Sequence, residues 1–93
     1  MFLDNQSRKK LGSYFKELRL EKGLSQDQLA KGLGYTNSQF VSNWERGLAH
    51  PPLKKLSKLT RVLKADQNAV FKIVMNESQE SLVRFFDAQR TKK

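Results

Sequence analysis

The chain has 93 residues, which is enough for one domain with a modest hydrophobic core. Its formal charge of +9 favours a polyanionic partner, although DNA, RNA and an anionic membrane would all satisfy that charge. The chain contains no cysteine, so disulfides, thiolate metal sites and thiol catalysis are excluded.

Hydrophobic runs and ionisable residues narrow the class of protein further. No apolar stretch reaches the roughly 20 residues that cross a bilayer, and the N-terminus lacks a signal-peptide core. We therefore expect a cytoplasmic protein that does not bind membranes. A single histidine and the lack of a carboxylate cluster argue against an enzyme, so we expect no cofactor, metal or small-molecule ligand.

Apolar residues recur at helical spacing without any strand pattern, so the sequence predicts an all-α fold. Ser7 is the predicted cap of a first helix that runs to about Lys22. Pro52 is placed as the first residue of a fourth helix, and Asp66 as the cap of a fifth that runs to about Asn76. The residues predicted to face the core from the third, fourth and fifth helices are Val41, Trp44, Leu48, Leu53, Leu56, Leu59, Val62, Leu63, Val70, Phe71 and Val74.

Residues 23–47 predict two short helices joined by a tight turn. Ser25 and Gln28 have capping-box spacing at the start of the first of them, which is the second helix of the chain. Gly34 supplies the permissive backbone that ends this helix, as glycines 23 and 47 do for the helices on either side. This arrangement is typical of a helix-turn-helix unit.

The start of the third helix repeats the same pattern. Thr36 and Gln39 have capping-box spacing, and Tyr35 and Phe40 occupy the positions of a hydrophobic staple. Phe40 is also placed to contact a thymine methyl group, but packing on Tyr35 explains it without DNA. The helix predicted from about Thr36 to Arg46 carries amides and hydroxyls, which donate and accept at base edges in a major groove.

The succession GLSQDQLAKGLG, VSNWERG and a proline-started helix resembles the Xre-type helix-turn-helix family of phage repressors, Cro proteins and bacterial regulators. The resemblance implies a five-helix DNA-binding domain over residues 1–76. An additional amphipathic helix and a basic tail form a C-terminal extension over residues 77–93. The family regulates transcription, usually as dimers on palindromic operators, so we expect a sequence-specific regulator of double-stranded DNA, acting as a homodimeric repressor.

The resemblance also assigns roles to individual positions. The predicted base-reading residues are Ser38, Gln39, Ser42 and Asn43, of which Ser42 is placed there by the polar face alone. The predicted DNA-backbone contacts are Gln26, Asn37, Arg46, Lys54 and Lys55. Arg19 and Glu45 match a family pair that forms a partly buried salt bridge. This chain has one residue more than the common family spacing between Gly34 and the VSNWERG block, so the register of residues 36–40 stays open.

The C-terminal part of the chain leaves two alternatives open. Val70, Leu82, Phe85 and Phe86 are candidates for a dimer interface, or the last amphipathic segment folds back on its own fifth helix. An alternative function is the antitoxin of a toxin–antitoxin pair, which would use this segment to hold a protein toxin and would also bind its own promoter.

Overall fold

A computed structural model of the protein describes residues 3–75, and within that range every regular element is helical. The helices are α1 (Asn5–Glu21), α2 (Gln26–Gly32), α3 (Gln39–Glu45), α4 (Leu53–Val62) and α5 (residues 67–75). The prediction of an all-α, five-helix fold is confirmed. The extension predicted over residues 77–93, with Leu82, Phe85 and Phe86, lies outside the described residues. None of the described helices is long and apolar enough to cross a membrane.

The first helix begins three residues earlier than the sequence predicts. Asp4, not Ser7, is its cap: the Asp4 carboxylate accepts a 2.7 Å hydrogen bond from the backbone N–H of Ser7. That bond holds the pKa of Asp4 below its ordinary value. The side chain of Ser7 is buried inside the helix, so its assignment as the cap was wrong. Both residue types cap well, and the sequence alone does not choose between them.

The capping box at the start of α2 forms as predicted. The hydroxyl of Ser25 accepts from the backbone N–H of Gln28 at 3.0 Å, and the Gln28 side chain accepts from the N–H of Ser25 at 2.8 Å. Two orphan backbone donors are thus satisfied at a helix only seven residues long.

Four successive helices end in the same left-handed turn. The residue after each C-cap has a positive φ, and it is a glycine in three cases: Gly23, Gly34 and Gly47. In each turn the next residue donates its N–H five positions back, as Tyr35 does to the carbonyl of Ala30 at 2.9 Å. Lys64 takes the equivalent position after α4 with a φ of 51° and is the one described non-glycine residue with a positive φ.

The core is built where all five helices meet. Its buried apolar residues are Leu3, Leu11, Phe15, Leu29, Ala30, Leu33, Val41, Trp44, Leu56, Leu59, Leu63 and Val70. Val41 and Trp44 therefore fasten α3 to the body, as predicted. Val70 is 7% exposed and packs within its own chain, so its side chain has little surface left for the predicted contact with a second protomer.

Four residues predicted to be buried are exposed instead: Leu48, Leu53, Val62 and Phe71. Leu48 follows the turn at Gly47, beyond the end of α3. Leu53 is the first residue of α4, and Val62 lies off the stripe formed by Leu56, Leu59 and Leu63. Phe71 is 60% exposed because Val70, Ile73 and Val74 form the inward stripe of α5. Apolar character alone does not reveal which side of a short helix is covered.

Candidate nucleic-acid interface

The third helix starts later than the sequence predicts. It begins at Gln39, and Ser38 is its N-cap residue without any side-chain capping bond. Instead, the side-chain carbonyl of Asn37 accepts from the backbone N–H of Gln39 at 2.9 Å. The capping box predicted between Thr36 and Gln39 was wrong because this short Asn37 turn satisfies the same donor.

Polar side chains form a hydrogen-bonded row along α3. The amide of Gln39 donates to the side-chain oxygen of Asn43 at 3.1 Å, and the guanidinium of Arg46 donates to the same oxygen at 2.9 Å. Arg46 also donates to the backbone carbonyl of Ser42 at 3.4 Å. Gln39 and Arg46 are exposed, and Ser42 and Asn43 are half-buried. Together, Gln39, Ser42, Asn43 and Arg46 are called the polar row below.

A buried ion pair fixes α3 against α1. Arg19 donates to both carboxylate oxygens of Glu45, at 2.7 and 3.1 Å, and its remaining terminal nitrogen donates to the carbonyl of Leu24 at 2.7 Å. The two side chains are only 8% and 4% exposed. A bidentate pair of this kind sets the angle between two elements as well as their distance. The Arg19–Glu45 pair that the resemblance implies is present.

Gln26 joins this ion pair rather than standing free at the start of α2. Its side-chain amide donates to Glu45 at 2.9 Å, and the residue is half-buried. The contact links α2 to α3 through the carboxylate that already holds α1. A phosphate contact made by the Gln26 amide nitrogen would use its second hydrogen, since the first donates to Glu45.

The closest approach between α1 and α3 occurs at Gly12. A β-carbon there would overlap the carbonyl oxygen of Trp44 and lie 3.0 Å from that of Glu45. Sequence reasoning missed this residue, although a glycine inside an amphipathic helix is a recognisable sign of close backbone packing. Arg8 makes a second contact between the same two elements. It donates to the carbonyl of Gly47 at 3.2 Å, which fastens α1 to the end of α3.

An aromatic cluster supports the turn and the start of α3. The rings of Tyr35 and Phe40 lie 4.7 Å apart, which agrees with the predicted staple, and Tyr35 meets Trp44 edge-on at 5.8 Å. Lys55 places its ammonium 4.8 Å from the centre of the Tyr35 ring and donates to the carbonyl of Leu33 at 2.6 Å. Burial raises the pKa of the Tyr35 phenol, which stays neutral at physiological pH.

The cations predicted to contact the DNA backbone lie in different environments. Lys54 and Arg46 are exposed, whereas Lys55 is half-buried and already bound to the turn. Within residues 3–75 there is no group of three or more histidine or acidic side chains that would hold a metal ion. What this surface offers is hydrogen-bond donors and acceptors on one rigid helix, with positive charge beside them.

Comparison with known proteins identifies the family. The sequence profile of the helix-turn-helix family matches residues 15–66, which is more than half of the chain. The chain is 37% identical over 62 residues to the ImmF control region 10 kDa protein of Bacillus phage phi105, covering 67% of this chain and 68% of the phage protein. It is 39% identical over 56 residues to an HTH-type transcriptional regulator, y4dJ, of Sinorhizobium fredii, covering 60% and 71% of the two chains.

The fold also has a counterpart among solved structures. The crystal structure of the clp gene regulator ClgR from Corynebacterium glutamicum superposes with a TM-score of 0.63 over 89% of this chain and 93% of that chain, at 23% identity. That likeness supports the fold only. The sequence matches support the function, because the matched family is a helix-turn-helix family and one matched relative is an HTH-type transcriptional regulator. The chain therefore belongs to the Xre-type helix-turn-helix family of DNA-binding transcriptional regulators.

Proposed function

We propose that the protein is a sequence-specific repressor that binds a palindromic operator as a homodimer, with α3 of each protomer in the major groove. The observation that carries the proposal is the polar row on α3, which presents amide and guanidinium groups on a helix whose C-terminal end is fastened to α1. A protein surface with this chemistry matches the donors and acceptors of base edges.

The side chains of the polar row can exchange their hydrogen bonds within the protein for hydrogen bonds to DNA. In the free protein, Gln39 and Arg46 both donate to Asn43, so the three side chains hold one another in place. On DNA, the Asn43 amide has the geometry to pair with adenine, and the released Gln39 amide with a neighbouring base. Each contact costs one intramolecular bond, so discrimination comes from how well the base edge replaces it.

The contacts between α3 and the rest of the domain prevent the helix from shifting to fit a DNA sequence other than the preferred one. Arg19 and Glu45 hold one end of the helix, and Val41 and Trp44 anchor its inner face in the core. A rigid reader loses more free energy at a mismatched base than a pliable one, since it cannot recover the bond elsewhere. We therefore assign base reading to Gln39 and Asn43, with Ser38 and Ser42 beside them.

Positive charge around α3 supports the proposed contacts with the sugar-phosphate backbone. Arg46 and Lys54 are exposed and available to phosphates, and Asn37 would use its amide N–H group, since its oxygen accepts from Gln39. Gln26 and Lys55 would share the donor groups that already bind Glu45 and Leu33. If about six to eight phosphate contacts form in the dimer, affinity falls by roughly three to four powers of ten between about 50 and 200 mM salt.

Two-fold symmetry is part of the proposal. A single module of this size buries a small interface on DNA, and binders of this type gain affinity by adding a second copy about 34 Å along the duplex. Phe71 offers exposed apolar surface on α5 for such pairing. The competing antitoxin function depends on the segment beyond residue 76, and no observation on the described residues favours it.

The direct test is selection of bound sites from random duplex DNA with the full chain, followed by titration of the selected site. We expect an inverted repeat with half-sites one helical turn apart and a 2:1 complex of protein to duplex. Selection of no motif would contradict sequence-specific binding, and a single asymmetric half-site bound 1:1 would contradict the dimer. Placing the selected site across a reporter promoter then distinguishes repression from activation.

A further inference from the structure

Phe40 is the one large apolar side chain at the N-terminal end of α3 that remains substantially exposed. It is the second residue of the helix, and 51% of its surface is accessible. It lies three residues before Asn43, which makes the two side chains neighbours on the helix surface. The ring therefore borders the polar row instead of lying on a remote surface.

The exposed ring is held in place by its inner edge. Its centroid lies 4.7 Å from that of Tyr35 and 6.4 Å from that of Trp44, a residue of the core. Tyr35 is itself covered on one face by the ammonium of Lys55. The staple with Tyr35 accounts for the inner half of the ring, and it leaves the outer half without any covering group in the described part of the chain.

An apolar surface beside base-reading amides has one complementary feature in a major groove. Of the four bases, thymine alone presents a methyl group there, and apolar side chains discriminate in its favour. We propose that Phe40 is a specificity-determining residue that packs its exposed half against the methyl group of a thymine adjacent to the bases read by Gln39 and Asn43. This inference rests on the proposed function of α3.

The test removes the methyl group from the DNA instead of altering the protein. Once a preferred duplex has been selected, each thymine of one half-site is replaced in turn by deoxyuridine, which lacks only that methyl. We expect one position at which the wild-type protein loses about three- to fivefold in affinity, the value of one buried methyl group. The loss should disappear in Phe40→Ala, which binds the thymine and uracil duplexes equally.

Matched variants separate this contact from a structural role of the ring. Leu20→Ala removes a similarly exposed apolar side chain from α1, and it should retain the full preference for thymine. Phe40→Leu keeps an apolar group that fills the staple, and it should retain part of the preference. Thermal melting of each variant shows whether the fold is intact before binding is compared.

The possible outcomes distinguish failure of the Phe40 inference from failure of the proposed function. If the wild-type protein shows no loss at any uracil position, or if Phe40→Ala keeps the loss in full, the inference is overturned while sequence-specific binding stands. If the ring contacts deoxyribose or only stabilises the turn, Phe40→Ala weakens binding to the thymine and uracil duplexes by the same factor, and the inference is overturned. Failure to select any preferred duplex would instead overturn the proposed function.

Discussion

Gly12 and Trp44 meet so closely that the backbone of α1 rests on the last turn of α3. A β-carbon at Gly12 would overlap the carbonyl oxygen of Trp44, which is backbone and has no flexible end to move aside. The contact sets the depth to which α3 sinks into the body of the domain. The direction of the polar row therefore depends on a residue that lies on another helix.

Gly12→Ala should destabilise the domain by about 2 kcal/mol, because the overlap outweighs the helix propensity that alanine adds. Gly32→Ala is the control: Gly32 is the exposed last residue of α2, and open space surrounds its missing side chain. It should stabilise the domain by about 0.5–1 kcal/mol. Urea unfolding measures both, and equal effects of the two substitutions would contradict the steric explanation.

The buried pair between Arg19 and Glu45 leads to a second prediction. Glu45→Ala leaves a guanidinium in a site that is almost closed to water, and it should cost about 3–5 kcal/mol of unfolding free energy. The double variant Arg19→Met/Glu45→Met removes both charges and should recover part of that loss. If the destabilisation of the double variant equalled the sum of the losses in Arg19→Met and Glu45→Met, the two charges would not be coupled.

Local signals allowed much of this fold to be predicted, and tertiary contacts decided the rest. Gly34 could be assigned as a helix end because only a left-handed residue closes such a turn, and its φ is +90°. Asp4 and Ser7 are both of residue types that cap helices well, so the local sequence does not choose between them. The choice depends on tertiary packing, which buries Ser7. Gly12 matters through its contact with Trp44, which lies more than thirty residues away in the sequence.

The candidate site shows the same division. Gln39 and Asn43 could be placed on one helix face by spacing alone, since residues four apart are neighbours. The attachment of Gln26 to Glu45 and of Lys55 to Leu33 depends on how the helices pack, which no local pattern contains. Sequence reasoning therefore assigned DNA contacts to two side chains that already bind other parts of the free protein.

Lys64 stores a small amount of backbone strain that substitution should release. It occupies the left-handed position after α4 that glycine occupies after the first three helices, with a φ of 51°. Lys64→Gly should stabilise the domain by about 1 kcal/mol, because a β-carbon disfavours this conformation. Gly23→Ala is the mirror-image control, since its φ is +68° and nothing lies near its missing β-carbon, and it should destabilise by about 1 kcal/mol. Thermal melting at one pH compares the two, and a loss of stability in Lys64→Gly would contradict the strain.

The Asp4 cap predicts how stability responds to acid. Its pKa in the folded state lies below the ordinary value of 3.8, chiefly because the backbone N–H of Ser7 binds the carboxylate. The charged form therefore stabilises the fold above that ordinary value, and the benefit is lost as the pH falls towards the folded-state pKa. Asp4→Asn keeps an acceptor that does not titrate, so its melting temperature should fall less steeply than that of the wild type from about pH 5 to about pH 3. Parallel melting curves over this range would contradict a charged cap.

Base reading and backbone contact leave different signatures in binding, which makes Asn43 and Lys54 a discriminating pair. Asn43→Ala should cost about 1–3 kcal/mol on the preferred duplex and relax the preference at one base pair, because its amide no longer pairs with a base edge. Lys54→Ala should weaken all duplexes alike and reduce the slope of log affinity against log salt by about one unit. Titrations of preferred and scrambled duplexes at several salt concentrations separate the two. If Lys54→Ala changed the base preference, the assignment of a backbone contact to Lys54 would be contradicted. If Asn43→Ala weakened binding to both duplexes equally, the assignment of base reading to Asn43 would be contradicted. Arg46, which bonds to Asn43 in the free protein, would then be the residue to test next for base reading.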